Sequence, residues 1–245
     1  MKKLTVIIPT FNEECYLEKA LYSVKFADEI IVVDSFSTDK TQHIAKAYNC
    51  KFIQRKFDNF SNQKNYALEY ATSEWVLFLD ADERITFPLQ KEILEAIENS
   101  NYQGYKLNFP HFFMNRFLFN QSSSVTRLVV REQCYFEGSV HEKLIVKGAI
   151  SSLKNPVLHY TYKGLKHYIK KKDTYAWFQA EQLLQKGKSV TFFQLIFKPF
   201  YRFFHSFFIR GGFRDGIPAL AIAGVNAYGV FSRYAKMMLL KKGLK

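Results

Sequence analysis

An α/β fold built on a mostly parallel sheet follows from three observations. Short β-branched runs alternate with helical stretches through the first hundred residues, at the spacing of βαβ units. Acidic side chains fall at the carboxyl ends of three of those runs. The turn after the first run, Pro-Thr-Phe-Asn-Glu-Glu, is not a glycine-rich phosphate loop, and neither GxGxxG nor GxxxxGK[ST] occurs in the chain.

Leu4–Ile8 reads as a buried strand, followed by a helix over Glu13–Lys25 that Asn12 is placed to cap. Glu29–Val33 is a second strand ending on Asp34, and Ser37-Thr38-Asp39 starts a helix to about Tyr48. Lys51–Gln54 is a third strand, with Ser61 as cap of a helix through Ala71. Trp75–Leu79 is a fourth, ending on Asp80-Ala81-Asp82. Thr86 caps a helix with Pro88 in its first turn, running to about Asn99. Beyond it Gly104–Phe109, Ser124–Arg131, Lys143–Val146 and Val157–Tyr162 read as strands with no long helix between them, so the sheet's second half has mixed directions. Gly164–Lys186 is helical and Asp215–Lys242 reads as a helix pair or a bent helix. The expected division is a catalytic domain over 1–162 and a helical extension over 163–245.

The chain has 245 residues, 48% hydrophobic and 17% aromatic, which excludes whole-chain disorder and suits one domain with an appendage. Its 35 Lys and Arg against 22 Asp and Glu give a net charge of +13. That excess is local. Residues 1–161 hold 19 basic and 19 acidic side chains, whereas residues 162–245 hold 16 and 3. Three cysteines (Cys15, Cys50, Cys134) without a CxxC make neither a disulfide framework nor a zinc pattern, pointing to a reducing compartment. No export signal and no membrane span are expected.

In open α/β sheets ligands bind beyond the carboxyl ends of the strands. Glu13, Asp34 and the Asp80/Asp82 pair all fall at such ends. One such carboxylate is ordinarily a loop stabiliser; several at one edge converge on a crevice. Asp80 and Asp82, spaced as DxD after an apolar strand, suit a hard divalent cation with oxygen ligands, which binds substrate phosphates as well. With no backbone nest for phosphates, a nucleotide diphosphate here needs such a cation.

Four motifs in order, VIIPTFNEE (Val6–Glu14), IIVVDSFSTDKT (Ile30–Thr41), QKNYAL (Gln63–Leu68) and WVLFLDADE (Trp75–Glu83), resemble those of family 2 glycosyltransferases. The resemblance covers roughly residues 1–150. With FEGSVHEKL (Phe136–Leu144), the chain is similar to bacterial glycosyltransferases of lipopolysaccharide-core assembly. It implies the GT-A fold, a Rossmann-like mixed sheet flanked by helices. It also implies inverting sugar transfer from a nucleotide diphosphate donor, with Mg²⁺ or Mn²⁺.

By the same resemblance Pro9, Thr10, Phe11 and Glu13 match the first nucleotide-contacting loop, Phe11 beside the base. Asp34 matches the carboxylate that accepts from the base imide, which favours uracil. Asp80 is directed to ribose or metal-bound water and Asp82 to the metal. Lys64 either meets a phosphate or is a solvated helix-face lysine. The base that takes the acceptor's proton falls on Glu142, at the branch's acceptor-side acid position, with Glu132 and Glu137 as alternatives. Where the family has Glu-Asp or Asp-Asp this chain has His141-Glu142, and His141 is either a further metal ligand or a core histidine. Arg127 either pairs with the diphosphate or is a strand-surface arginine.

In the tail, Phe192–Phe213 holds nine phenylalanines among Lys198, Arg202 and Arg210. Interleaved aromatics and cations suit single-stranded nucleic acid or a membrane interface. Phe193, Phe197, Phe200, Phe204 and Phe208 recur every three or four residues, which favours an amphipathic helix on an anionic leaflet. The expectation is a cytoplasmic enzyme peripherally bound to the inner membrane. It would transfer a sugar, by default glucose from a UDP-sugar, to a glycolipid such as a lipopolysaccharide-core intermediate. Nucleic acid is not an expected partner. Transfer to a polyprenyl phosphate is the second enzymatic reading; a metal-dependent nucleotidyltransferase or phosphohydrolase leaves the first-loop motif and Asp34 unexplained. A non-enzymatic nucleic-acid-binding protein stands outside these.

Overall fold

A computed structural model describes residues 3–138, 142–160 and 165–244. In strand β1 (Leu4–Thr10) alternation sends Leu4, Val6 and Ile8 to one buried face and Ile7 to the other, so both faces of the sheet need cover. It is flanked in parallel by β2 (Glu29–Asp34) and β4 (Trp75–Phe78), and β2 pairs in parallel with β3 (Lys51–Gln54). Helices α1 (Leu17–Ser23), α2 (Thr41–Ala47) and α3 (Phe60–Glu69) connect them. Leu17, Ala20 and Leu21 of α1 pack on the Leu4 face, and Ala67 of α3 packs on the Ile7 face with Val76 and Phe78.

Strand β5 (Glu83–Ile85) follows the DxD and leads into α4 (Phe87–Glu98), where Thr86 accepts a capping bond from Leu89 N and Pro88 sits in the first turn. The rest of the sheet comes from β6 (Gly104–Phe113), β7 (Arg116–Val130) and β10 (Ile150–His159), while β8 (Cys134–Glu137) and β9 (Lys143–Val146) form a separate antiparallel hairpin. The eight-stranded order is β3-β2-β1-β4-β7-β6-β10-β5. β7 runs antiparallel to β4, and β5 antiparallel to β10. The chain leaves β1 for β2 and β3 on one side and returns from β3 to place β4 on the other, which makes the carboxyl end of β1 a topological switch point.

The expected mixed sheet is present, with several local corrections. Asn12 does not cap α1: its backbone is left-handed (φ 55°), its amide oxygen accepts from Thr38 N at 2.9 Å, and the helix begins only at Leu17. The second helix starts at Thr41, because Asp39 accepts from Thr41 N instead of opening the helix itself. Asn59, not Ser61, caps α3; the Ser61 hydroxyl donates to the Gly138 carbonyl. β6 and β7 run on past their expected ends to a two-residue turn, Met114-Asn115, with both φ positive as such hairpins require.

Two compact units are present: Met1–Phe109 with Ser123–Tyr160, and Pro110–Ser122 with Thr161–Lys245. In the second, α7 (Ile217–Lys241), one continuous helix and not a pair, packs against α5 (Leu165–Gln185) and α6 (Phe192–Phe204). The buried Asp215 carboxylate accepts from Asn120 N and Nδ2 at 3.1 and 3.0 Å, tying the β6–β7 tip to the start of α7. Thr191 and Gln194 form a capping box at the start of α6, none of whose side chains is buried. Phe193, Ile196, Phe197, Phe200 and Phe204 stay exposed along one side. Among the described residues no helix is long and apolar enough to cross a membrane.

Candidate active site

The carboxyl ends of β1, β2 and β4 carry the expected residues. Thr10 and Asp34 are partners in register and both are buried. The Asp34 carboxylate accepts from Thr10 Oγ1 at 3.1 Å, from Ser37 N at 2.8 Å, from Ser37 Oγ, and from Gln54 Nε2 at 3.2 Å. Four donors fill a carboxylate's acceptor positions. A base imide would therefore take over a place now held by a neighbour, and Gln54 offers the longest of these bonds. Pro9 lies opposite Val33 in β1, and Glu13 N donates to Thr41 Oγ1 at 2.9 Å.

Two loops are stapled together at this edge. Ser35 N donates to Thr10 O at 2.9 Å, Asn12 N to Ser37 Oγ at 2.8 Å, and Glu14 N to Asp39 Oδ2 at 3.0 Å. Phe11 and Phe36 sit between these bonds on facing backbones, 60% and 54% exposed. Phe36 holds φ 59°, a left-handed conformation that costs a side chain with a Cβ roughly 1–2 kcal/mol.

Beside them lies a charged cluster. Arg127 on β7 is largely buried and is not a strand-surface arginine: its Nη2 donates to Asp80 Oδ2 at 2.8 Å and to Glu83 Oε1 at 3.3 Å. Burial alone would raise the Asp80 pKa, but Arg127 and then Lys64 outweigh it and hold the carboxyl well below its usual range. Glu83 is fully buried, its Oε2 accepting from Asp80 N at 2.9 Å. Desolvation dominates there, against Arg127, and lifts Glu83 to about 7.

Asp82 faces His159, whose Nε2 lies 3.1 Å from Asp82 Oδ1. Burial pushes the imidazole down, but Asp82, Glu83 and Asp80 outweigh it and raise the pKa above its ordinary value. Sequence reasoning did not single out His159. It closes the short apolar stretch Pro156–Leu158, a weak signal, and its pairing opposite Glu83 across β10 and β5 is visible only in three dimensions.

Lys64 is buried and is not a solvated lysine; its Nζ lies 3.4 Å from Glu142 Oε1 and 5.1 Å from the Phe136 ring centroid. His141 lies outside the described residues. Among the described residues no three acidic, imidazole or thiol groups gather into a closed metal cage. Asp82 and His159, each more than a quarter exposed, are an open pair instead, in a cluster of three carboxylates. An oxygen and an imidazole nitrogen fit a Mn²⁺-like cation that takes its remaining ligands from water and phosphate.

Acidic groups at the switch point of a helix-flanked mixed sheet define a GT-A glycosyltransferase. Glucosyl-3-phosphoglycerate synthase from Mycobacterium tuberculosis, solved with UDP, Mn²⁺ and glucosyl-3-phosphoglycerate, shares that fold. Its TM-score is 0.50 at 16% identity, covering 78% of this chain and 82% of that one. The chain belongs to glycosyl transferase family 2, whose description matches residues 5–154. An uncharacterised glycosyltransferase of Rickettsia typhi is 30% identical, over 97% of this chain and 87% of its own. The lipopolysaccharide core biosynthesis glycosyltransferase LpsC of Rhizobium meliloti is 27% identical, over 96% and 91%.

Proposed function

We propose that this glycosyltransferase transfers a sugar with inversion from a UDP-sugar, glucose by default, to a membrane glycolipid of the lipopolysaccharide-core class. The observation that carries the donor reading is the juxtaposition of the Asp82–His159 pair with the Arg127-held Asp80. The name of the Rhizobium meliloti relative supports the acceptor class, and the ligands of the mycobacterial enzyme support UDP and a divalent metal.

In this mechanism Thr10, Phe11 and Asp34 seat the nucleoside, with Pro9 and Glu13 shaping the loop around it. Arg127 and Glu83 hold Asp80 toward the ribose, and Asp82 with His159 would hold Mg²⁺ or Mn²⁺. Bound there, such a cation would supply positive charge to offset the charge of the leaving diphosphate. Glu142, held by Lys64, accepts the acceptor hydroxyl's proton as that oxygen bonds to the anomeric carbon. The anomeric carbon–phosphate oxygen bond breaks with its electron pair on the nucleoside diphosphate. The helical unit, with its exposed phenylalanines and surplus cations, lies on the anionic inner leaflet, where the enzyme stays peripheral on the cytoplasmic side and meets its glycolipid.

UDP with Mn²⁺ at a hundred times its dissociation constant should stabilise the protein by about 2.7 kcal/mol. That would appear as a thermal midpoint several degrees higher, and Asp82→Ala should abolish it. No shift with any nucleoside diphosphate would overturn the reading.

A further inference from the structure

Phe36 combines three properties that rarely coincide. It is a bulky residue in the left-handed region at φ 59°, it is 54% exposed, and its backbone is held on both sides. On one side Ser35 N donates to Thr10 O; on the other, Ser37 N and Oγ both donate to the buried Asp34. The staple forces the backbone, yet glycine or asparagine would satisfy that backbone without strain, as Asn12 does at φ 55° in the facing loop. A phenylalanine left more than half exposed gains little from burial to offset its strained backbone. Strain kept where packing gives no return marks a position held for a ligand.

The facing residue identifies the ligand. Phe11 lies between the same two cross-loop bonds, Ser35 N to Thr10 O and Asn12 N to Ser37 Oγ, and is 60% exposed. Two exposed aromatic side chains thus stand on stapled backbones just beyond the Thr10–Asp34 pair, after the carboxyl ends of β1 and β2. Flat faces presented at a rigid edge suit a planar heteroaromatic ring, because base–aromatic stacking needs no induced fit. We infer that Phe36 is a second aromatic seat for the donor's nucleobase, acting with Phe11, and that its left-handed backbone is retained to hold the ring there. The inference rests on the donor reading above. It assigns base affinity to a residue in the second strand's loop, not to the first loop alone.

The experiment uses the full chain and measures two quantities for each variant: the ligand-free thermal midpoint, and UDP affinity by calorimetry with Mn²⁺. Phe36→Gly relieves the backbone, so the midpoint should hold or rise by up to about 4 °C. Its UDP dissociation constant should weaken about tenfold or more. Phe36→Leu keeps both strain and bulk but loses the π-face, and should weaken UDP similarly at an unchanged midpoint. Phe36→Trp should retain wild-type affinity. Uridine without phosphates should show the same order of variants. Wild-type UDP affinity in Phe36→Gly or Phe36→Leu, or a fall in the midpoint of Phe36→Gly, overturns the inference while the donor reading stands. Failure of the wild-type protein to bind any nucleoside diphosphate overturns both.

Discussion

Lys64 and Glu142 meet: the ammonium of a buried helix lysine lies 3.4 Å from the carboxylate of the residue before β9. The ammonium also lies over the rings of Phe60 and Phe136, 5.8 and 5.1 Å from their centroids. A cation enclosed this way acts on the carboxylate beside it before it acts on a distant phosphate. Lys64→Met should lower kcat on the order of a hundredfold, because a misplaced base loses near-attack geometry. UDP affinity should change by less than about threefold. Glu142→Gln should remove turnover and leave UDP binding intact. A large loss of UDP affinity in Lys64→Met, with kcat preserved, would return Lys64 to the phosphate.

His159 supplies a second, separable prediction. The imidazole and Asp82 are 3.1 Å apart, so in the proposed cation site removing either should take away half of the protein's ligands. His159→Ala should weaken Mn²⁺ binding in the presence of UDP on the order of 10–100-fold, read by electron paramagnetic resonance of free Mn²⁺. Asp82→Asn should do the same. Equal Mn²⁺ affinity in His159→Ala and wild type would remove His159 from the metal site.

The parts of this site that the sequence exposes are those written in local pattern. Asp34, Asp80 and Asp82 follow apolar strands, and that periodicity survives folding because β1, β2 and β4 are buried on both faces. What stayed hidden depends on pairing between distant segments. Ser61 looks like a helix cap until its hydroxyl is seen donating to Gly138, and Arg127 looks like a surface cation until β7 is laid antiparallel to β4. The three-residue strand β5 is too short for any period to show, yet it sets Glu83 opposite His159.

The same pairing gives a pH dependence. Glu83 is raised to about 7 from an ordinary 4.5, so folding retains its proton between those values and stability falls as pH rises through that window. His159 is raised above 6.5, so its contribution is complete below that pH and is lost above it as the folded imidazole titrates. Both signs agree. The metal-free protein should be more stable near pH 5.5 than at pH 8, by thermal midpoint, and Glu83→Gln should flatten the slope. Mn²⁺ affinity should run oppositely, rising with pH as His159 gives up its proton to bind. A metal-free midpoint that climbs from pH 5.5 to 8 would show that neither group titrates in this way.

The exposed side of α6 sets the last test. Phe193, Ile196, Phe197, Phe200 and Phe204 leave a row of apolar side chains facing solvent, while Arg202 and Arg210 add charge along the same segment. Burying one such phenylalanine in an acyl boundary contributes about 1.5–3 kcal/mol, and each basic residue near an anionic leaflet about 1 kcal/mol. The full chain should therefore co-sediment with phosphatidylglycerol vesicles and much less with phosphatidylcholine, and added salt should weaken the association. Replacing Phe197, Phe200 and Phe204 by Ser should reduce binding at least a hundredfold without shifting UDP affinity, since these side chains are solvent-facing and lie on a helix with no buried residue. Unaltered sedimentation of that triple variant would move the contact off α6, and none by the wild-type chain would refute the membrane assignment.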